Sequence, residues 1–572
     1  MSGMILLESI LERLKPNYPT GLSEDELFEF YCADNVLVNY DLDHTEIEAG
    51  IVDGPRDAGI DAAYVFANRR LITDDFKFDS IKQPVDIELF VFQAKNQDTF
   101  KESPVDKLSS SLPLLLDPNQ QTAALEALFK KQVVSILGSF LDAMKKLAAE
   151  FPKIVIRIFY CSKGNAPNDV IKAKAASLET TLRDKYQNVS FAFLGAQQLY
   201  DRSSNQKRLV VELPTTGTPL SGNNSYVALC KLSDYVKFIS DDSGGLITRI
   251  FEANVRAYQG EVEVNREIAD SLEHPTPGLD FWWLNNGVTI VADQAGFMNN
   301  RLTIENPLIV NGLQTSNEIH NIAPKLQPAE SRMILVRVIV ETDRERRDEI
   351  IRATNRQTAV THSSFRATEA IHREIEDYLL TLGYFYDRRK NFYKREGKAA
   401  DKIISIDRLA QAVLSELLQE PHTARGRPTT AIKDDNDYKR IFSGDKAQHP
   451  LEMYGVIVRL LDNVEAFFRK NASQIDQIYR NNLKFHVLMV LGWALNGNST
   501  LPAPRITQLD LSTLTEPQIN AVVQWVRQEF DAAGAEDKTA KDGTFTQRLK
   551  TNWSVAATTP AAATTSSPYG PS

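Results

Sequence analysis

Apolar and polar residues follow two different periods along the first third of this chain. Over residues 1 to about 60 the period is helical. Leu27, Phe28, Tyr31, Val36 and Leu37 recur at helix spacing, and Ser23 followed by Glu26 predicts a capped helix start. From Ile60 the texture changes. IDAAYVF (60–66) is rich in β-formers, and IELFVFQAK (87–95) has the partly alternating pattern of a strand. The pattern then predicts a helical stretch over Ala123–Glu150, a buried strand over Ile154–Ser162, a helix over Asn168–Lys185 after Pro167, and a strand at VSFAFLG (189–195). Alternating strands and helices imply an α/β sheet with helices packed against it.

The segment PTTGTPLSGNNS (214–225) is dense in Pro, Gly, Ser and Asn and is expected to be a linker or long loop. Beyond it, FWWLNNGVTIVAD (281–293) and MILVRVIVET (333–342) are expected strands. SFRATEAIHREIEDYLLTLG (364–383) is an expected helix. Phe365, Ile371, Ile375, Tyr378, Leu379 and Leu382 form its apolar face, and Gly383 suits its C-terminal cap. After about residue 440 the pattern is mostly helical, and SVAATTPAAATTSSPYGPS (554–572) is low in complexity. The expected organisation is α/β and multi-domain. An α/β domain spans 1–212, a linker 213–225, a mixed α+β domain 226–440, a helical region 441–550 and a disordered tail 551–572.

Composition narrows the class. The chain has 572 residues, 42% hydrophobic and 24% charged, which is ordinary for a soluble globular protein and too long for one core. No apolar run is long enough to span a bilayer, so no membrane partner is expected. The opening apolar stretch is interrupted by Glu8, Glu12 and Arg13, as in an amphipathic helix and unlike a signal peptide. Cys32, Cys161 and Cys230 are widely spaced with no zinc pattern, so a reduced, cytoplasmic setting is expected. The net charge of -10 argues against unselective coating of nucleic acid. Two segments are nonetheless locally basic. One holds Arg344, Arg346, Arg347, Arg352 and Arg356; the other holds Arg388, Arg389, Lys390, Lys394, Arg395 and Lys398. The histidines, His320, His362 and His372 among them, form no HExxH or HxxxH pair, and neither a GxxxxGK[ST] loop nor a GxSxG elbow occurs.

The chemistry concentrates near Ile60. Asp61 stands where a loop enters a strand. Gln93 and Lys95 stand two apart near the end of another, so they project from one face. If the strands pair, Asp61 meets both. A carboxylate with further oxygen ligands holds Mg²⁺ or Mn²⁺, and a lysine beside it stabilises charge on a phosphate. Asp57 and Asp61 as plain loop acids, with Lys95 at the surface, is the bland alternative. The motif resembles the PD-(D/E)XK nuclease superfamily, in particular Mrr-like enzymes with a QxK second motif. That resemblance implies a restriction-endonuclease-like α/β/α sheet, a metal held by Asp61, Gln93 and the Ala94 carbonyl, and catalysis by Asp61, Gln93 and Lys95. Glu29 is the expected preceding-helix acid.

FWWLNNGVTIVADQ, ENPLIVNGLQTSNEI and IIRATNRQTAVTHSSFRA each set Asn, Gly or Gln beside an element end. In this order, over roughly Tyr226–Arg427, they resemble the AIPR (abortive-infection phage resistance) family, and VNGLQT is similar to a DGQHR-type turn. Asn285, Asn286, Asn311, Gln314, Asn355 and Gln357 either lock buried turns or contact a ligand. Asn286, Asn311 and Gln314 are the expected cofactor-binding set and are expected to converge. The resemblances imply an Mg-dependent endonuclease of anti-phage defence. Its expected partners are DNA, with RNA second, a phage-derived trigger and further copies of the chain. The rival is a catalytically inactive nucleic-acid-binding or nucleotide-binding regulator.

Overall fold

The computed structural model describes residues 2–52, 54–81, 85–206, 209–223, 225–241, 244–251, 263–276, 278–325, 331–355, 370–388, 390–428, 432, 434–472 and 474–558. The chain divides into two compact units. One comprises Met1–Glu12, Phe28–Ile72 and Lys77–Ser364; the other comprises Arg13–Leu27, Thr73–Phe76 and Phe365–Ser572.

The chain begins with helices α1 (Ser2–Leu14), α2 (Glu24–Val36) and α3 (His44–Gly50). The expected cap on α2 is present: Ser23 N–H donates to Glu26 at 2.7 Å, and Glu26 N–H donates to the Ser23 hydroxyl at 3.2 Å. The first sheet contains β1 (Ala62–Ala67), β2 (Arg70–Leu71), β3 (Asp86–Lys95), β4 (Lys153–Ser162) and β5 (Asn188–Leu194), in the order β2-β1-β3-β4-β5. β1 runs antiparallel to β2 and β3, whereas β3, β4 and β5 run parallel. Parallel neighbours need crossover connections, and helices supply them. Helices α4 (Glu102–Leu115), α5 (Thr122–Leu128) and α6 (Lys131–Lys146) lead from β3 to β4, and α7 (Asp169–Arg183) leads from β4 to β5. Residues Ile87 to Ala94 of β3 are all buried, so this strand is covered on both faces. The expected helix over Ala123–Glu150 is interrupted, because Phe129 takes an extended conformation between α5 and α6.

After α8 (Ala196–Gln206) the same unit builds two further sheets. β6 (Val210–Pro214) joins β10 (Gln294–Met298) and β11 (Arg301–Glu305) in the order β10-β11-β6. β7 (Leu220–Gly222), β8 (Ser225–Lys231), β9 (Val288–Ala292), β12 (Leu308–Asn311) and β13 (Met333–Val340) form a sheet in the order β12-β9-β13-β8-β7. The stretch Pro214–Ser225, expected as a linker, thus contains β7, which pairs with β8. Helices α9 (Leu232–Ile239), α10 (Glu263–Glu273), α11 (Leu313–Ile322) and α12 (Arg344–Asn355) accompany these sheets. Ile290, Val336 and Val338 pack with Ile319 of α11 in one core. The aromatic run FWW, expected within a strand, is a 3-10 turn, and β9 begins only at Val288. The Asn285 side chain explains the break: it donates to the Phe281 carbonyl at 2.6 Å and accepts from Gly287 N–H at 2.9 Å, folding the chain back on itself.

The second unit is mainly helical. Its longest helices, Leu451–Lys470 and Gln477–Asn496, share a core with Trp493, Phe530 and Trp553. Two short strands, Phe385–Asp387 and Ile403–Ser405, pair in parallel. The expected helix over 364–383 is seen from Ala370 to Thr381; Phe365 lies outside the described residues. The last helix, Gly543–Thr558, holds buried Trp553, so order continues past the expected start of the tail at 551. Residues 559–572 lie outside the described residues, as do Arg356, Gln357, His362 and Arg389. The architecture is therefore mixed α/β with several sheets and a helical C-terminal region. Among the described residues no helix is long and apolar enough to cross a membrane.

Candidate active site

Asp61 lies one residue before β1. The antiparallel register pairs Ala62 with Phe92 and continues to place Asp61 opposite Gln93. Asp61 is anchored through its backbone: its N–H donates to the Phe92 carbonyl and its carbonyl accepts from Val52 N–H, both at 2.8 Å. The loop ahead of it is tightly wound. Gly59 takes φ +76°, and a side chain there would strike Lys107. Ala58 is also left-handed at φ +62°, and the Ser111 hydroxyl holds its carbonyl at 2.6 Å.

Three donors converge on the Asp61 carboxylate. The Gln93 amide and the Ala94 N–H both donate to Oδ2, the latter at 2.7 Å. The Lys95 ammonium donates at 3.1 Å to Oδ1 and 3.2 Å to Oδ2. Asp61 and Gln93 are 4% and 1% exposed, whereas the Lys95 side chain is 35% exposed, so the cluster opens to solvent through Lys95. Burial pushes the Asp61 carboxyl above its ordinary range, opposed by Lys95 and the Ala94 N–H and reinforced by Asp57. Burial also disfavours the Lys95 ammonium. The Asp61 carboxylate, with Glu29 and Asp57, outweighs that and raises Lys95 above its usual value, so it stays charged.

Asp61, Gln93, Ala94 and Lys95 are thus brought to one point. Glu29 sits on α2, partly buried, and its charge acts on Lys95 and on Cys32. Ala94 meets Asp61 through its N–H. Because the N–H and C=O of a strand residue lie on one edge, its carbonyl faces the same side. Three further residues near the cluster carry no signal in the sequence. Tyr160 on β4 is in register with Gln93, feels the charges of Lys95 and Asp61, and accepts from Lys101 N–H at 3.0 Å. The Cys32 and Cys161 thiols, remote in sequence and both fully buried, act on each other electrostatically, and the Cys32 thiol feels the charge of Asp61.

In the β7–β12 sheet, Asn311 pairs with Thr289, and a Cβ at Gly312 would lie 3.1 Å from the Gly287 carbonyl oxygen, so the Asn286–Gly287 and Asn311–Gly312 turns are adjacent. Asn311 donates to the Thr354 carbonyl at 3.0 Å, exposed Asn286 accepts from Arg337 at 3.4 Å, and Gln314 opens the first turn of α11. Asn285 locks its own turn, as described above. His372 is buried between the Tyr386 and Tyr438 hydroxyls, 2.8 and 3.0 Å from its ring nitrogens. Among the described residues no group of three or more His, Cys, Asp and Glu could hold a metal ion.

No curated protein and no solved structure matches this chain. The family described as AIPR protein matches residues 251–538, which leaves Asp61, Gln93 and Lys95 outside the matched region and takes in Asn286, Asn311 and Gln314. That match covers half of the chain, and the protein belongs to the AIPR family.

Proposed function

We propose that the protein is a metal-dependent endonuclease of phage defence, cleaving DNA or, second, RNA, with its AIPR region sensing or regulating. The defence role rests on the family membership, since abortive infection is what the family is named for. The nuclease reading rests on one observation: Asp61, Gln93, Ala94 and Lys95 meet at the partly open edge of a largely buried strand pair.

The residues present suit a small hard cation. Asp61 offers a carboxylate, Ala94 a backbone carbonyl, and Gln93 an amide oxygen once its amide group is turned, with Glu29 a second carboxylate nearby. Mg²⁺ and Mn²⁺ favour oxygen donors, and Mg²⁺ keeps several waters while binding through one or two carboxylates, so a cluster of three acids is not required. A bound cation would act as Lewis acid on the phosphate and lower the pKa of the attacking water. Lys95 remains protonated and presents its charge to the phosphate oxygens, where charge grows in the transition state. The packed Gln93 and the anchored loop hold Asp61 in place, which limits the cost of reorganisation.

The test is cleavage of supercoiled plasmid and of single-stranded DNA and RNA with Mg²⁺ or Mn²⁺, with Asp61→Ala as control. Metal-dependent cleavage lost in the variant supports the proposal. Binding of nucleic acid without cleavage by the parent supports the inactive regulator.

A further inference from the structure

A second set of polar groups has no role in the nuclease reading. In β12, β9 and β13, Asn311 pairs with Thr289 and Thr289 pairs with Arg337. Thr289 and Arg337, directly paired, share a face, and Asn311, which follows a bulge in β12, joins that side by donating to the Thr354 carbonyl of α12, so three polar side chains form a row across the sheet. The row interrupts an apolar surface, for Val291 on the same face packs with Ile351 of α12. Thr289 is 1% exposed and its hydroxyl has no hydrogen-bond partner among the described residues. Arg337 Nε is also buried without one, while the end of its guanidinium reaches the Asn286 carbonyl at 3.4 Å. Gln314 Oε1, at the start of α11, is a third unpartnered buried atom. Polar atoms buried without partners are uncommon and unfavourable, and a ligand that pairs with them removes the cost.

The chemistry of the row indicates what would pair. A guanidinium and a hydroxyl are donors, and a guanidinium fits a phosphate. The start of α11 adds to this. Gly312, its N-cap residue at φ +100°, offers no side-chain cap, so the first-turn N–H groups retain their positive character. Asn286, whose carbonyl Arg337 reaches, is exposed, so the guanidinium end of the row faces solvent. The preceding turn, Phe281–Trp283, packs against β13 and holds Trp283 57% exposed. An exposed indole on the turn that leads into Asn286 suits a nucleobase, and the Gln314 amide oxygen can accept from a sugar or base.

We infer that the AIPR region binds a free nucleoside phosphate, its phosphate held by Arg337, Thr289 and the start of α11 and its base against Trp283. The site is independent of Asp61 and involves no covalent step. The test uses the full chain with ATP, GTP, CTP, UTP or inorganic phosphate, read by melting temperature and equilibrium dialysis. At least one nucleotide is expected to bind. Thr289→Val and Arg337→Gln are each expected to weaken it about tenfold or more, the scale of a lost charge-assisted hydrogen bond. Trp283→Ala should weaken nucleotide binding and leave phosphate binding unchanged. Thr289→Val without ligand should melt no lower than the parent, because its hydroxyl has no partner to lose, so its binding defect cannot be put down to unfolding. Asp61→Ala should bind nucleotide as the parent does, which separates this site from the nuclease reading. Absence of nucleotide binding at millimolar concentration, equal binding by parent, Thr289→Val and Arg337→Gln, or binding of oligonucleotides alone would overturn the inference.

Discussion

Glu416→Gln isolates a single buried carboxyl in the helical unit. Glu416 ends the helix Ile406–Glu416, is 1% exposed, and neither of its oxygens has a partner among the described residues. It lies against Gly492, where any added side chain would overlap it. Burial alone pushes its pKa well above the ordinary 4.5, so between that value and the raised one the folded protein keeps it neutral. Above that ordinary value the unfolded chain releases the proton and the folded chain retains it. Stability from this group is therefore complete at low pH and falls as pH rises toward the raised pKa, by about 1.4 kcal/mol per pH unit. Glutamine has nearly the same shape and does not titrate, so Glu416→Gln removes the slope. For a unit of this size about 1.4 kcal/mol corresponds to roughly 3–6 °C in melting temperature. The assay is melting of parent and variant over a pH series from about 5 to about 8. Other titrating groups cancel in the difference. The variant should gain on the parent as pH rises above the ordinary 4.5, by up to roughly 3–6 °C per pH unit until the raised pKa is reached. Parallel curves, or a parent that gains on the variant as pH rises, would refute the reasoning.

His486 gives the opposite sign. Burial holds its pKa down to about 3, so the parent should lose stability relative to His486→Gln as pH falls below the ordinary 6.5, and a constant difference in acid melts would contradict this. Lys95→Ala should slow cleavage on the order of 10²–10³-fold with metal affinity nearly unchanged. Rates and calorimetric metal titration check this, and loss of metal binding would show that Lys95 supports the ligand set instead. Gln93→Glu should retain cleavage and tighten metal binding in the same titration; a dead, folded variant would contradict the assigned role.

The N-terminal sheet was legible because its hydrophobic pattern leaves little choice. The run Ile87–Ala94 must be buried, a one-residue slip would turn its side chains to the other face, and the register that follows sets Asp61 opposite Gln93. The Asn311 and Gly312 turn was legible from residue type, since Gly312 at φ +100° closes against Val288 and Gly287. Other features depended on long-range pairing. Cys32 and Cys161 looked isolated because α2 and β4 are far apart in sequence. Thr289 looked like an ordinary strand residue, and only the parallel pairing of β9 with β13 sets Arg337 beside it. The FWW run has strand composition, but the Asn285 side chain competes with the sheet for the backbone and makes a turn. Polar Pro214–Ser225 resembled a linker because β7 is an exposed edge strand needing no apolar face.

The central claim is that the Asp61 cluster cuts nucleic acid with a divalent cation. Its most direct measurement is the cleavage rate of supercoiled plasmid and of single-stranded substrates by parent and Asp61→Ala, with Mg²⁺ or Mn²⁺ and with chelator, alongside melting curves of both proteins. Asp61 is the one carboxylate contributed by the two strand motifs, and Mg²⁺ gives up its waters reluctantly without a carboxylate. Metal-dependent cleavage is expected from the parent and none from a variant that still melts as a folded protein. Equal rates for the two proteins, or parent cleavage that persists in chelator, would contradict the central claim.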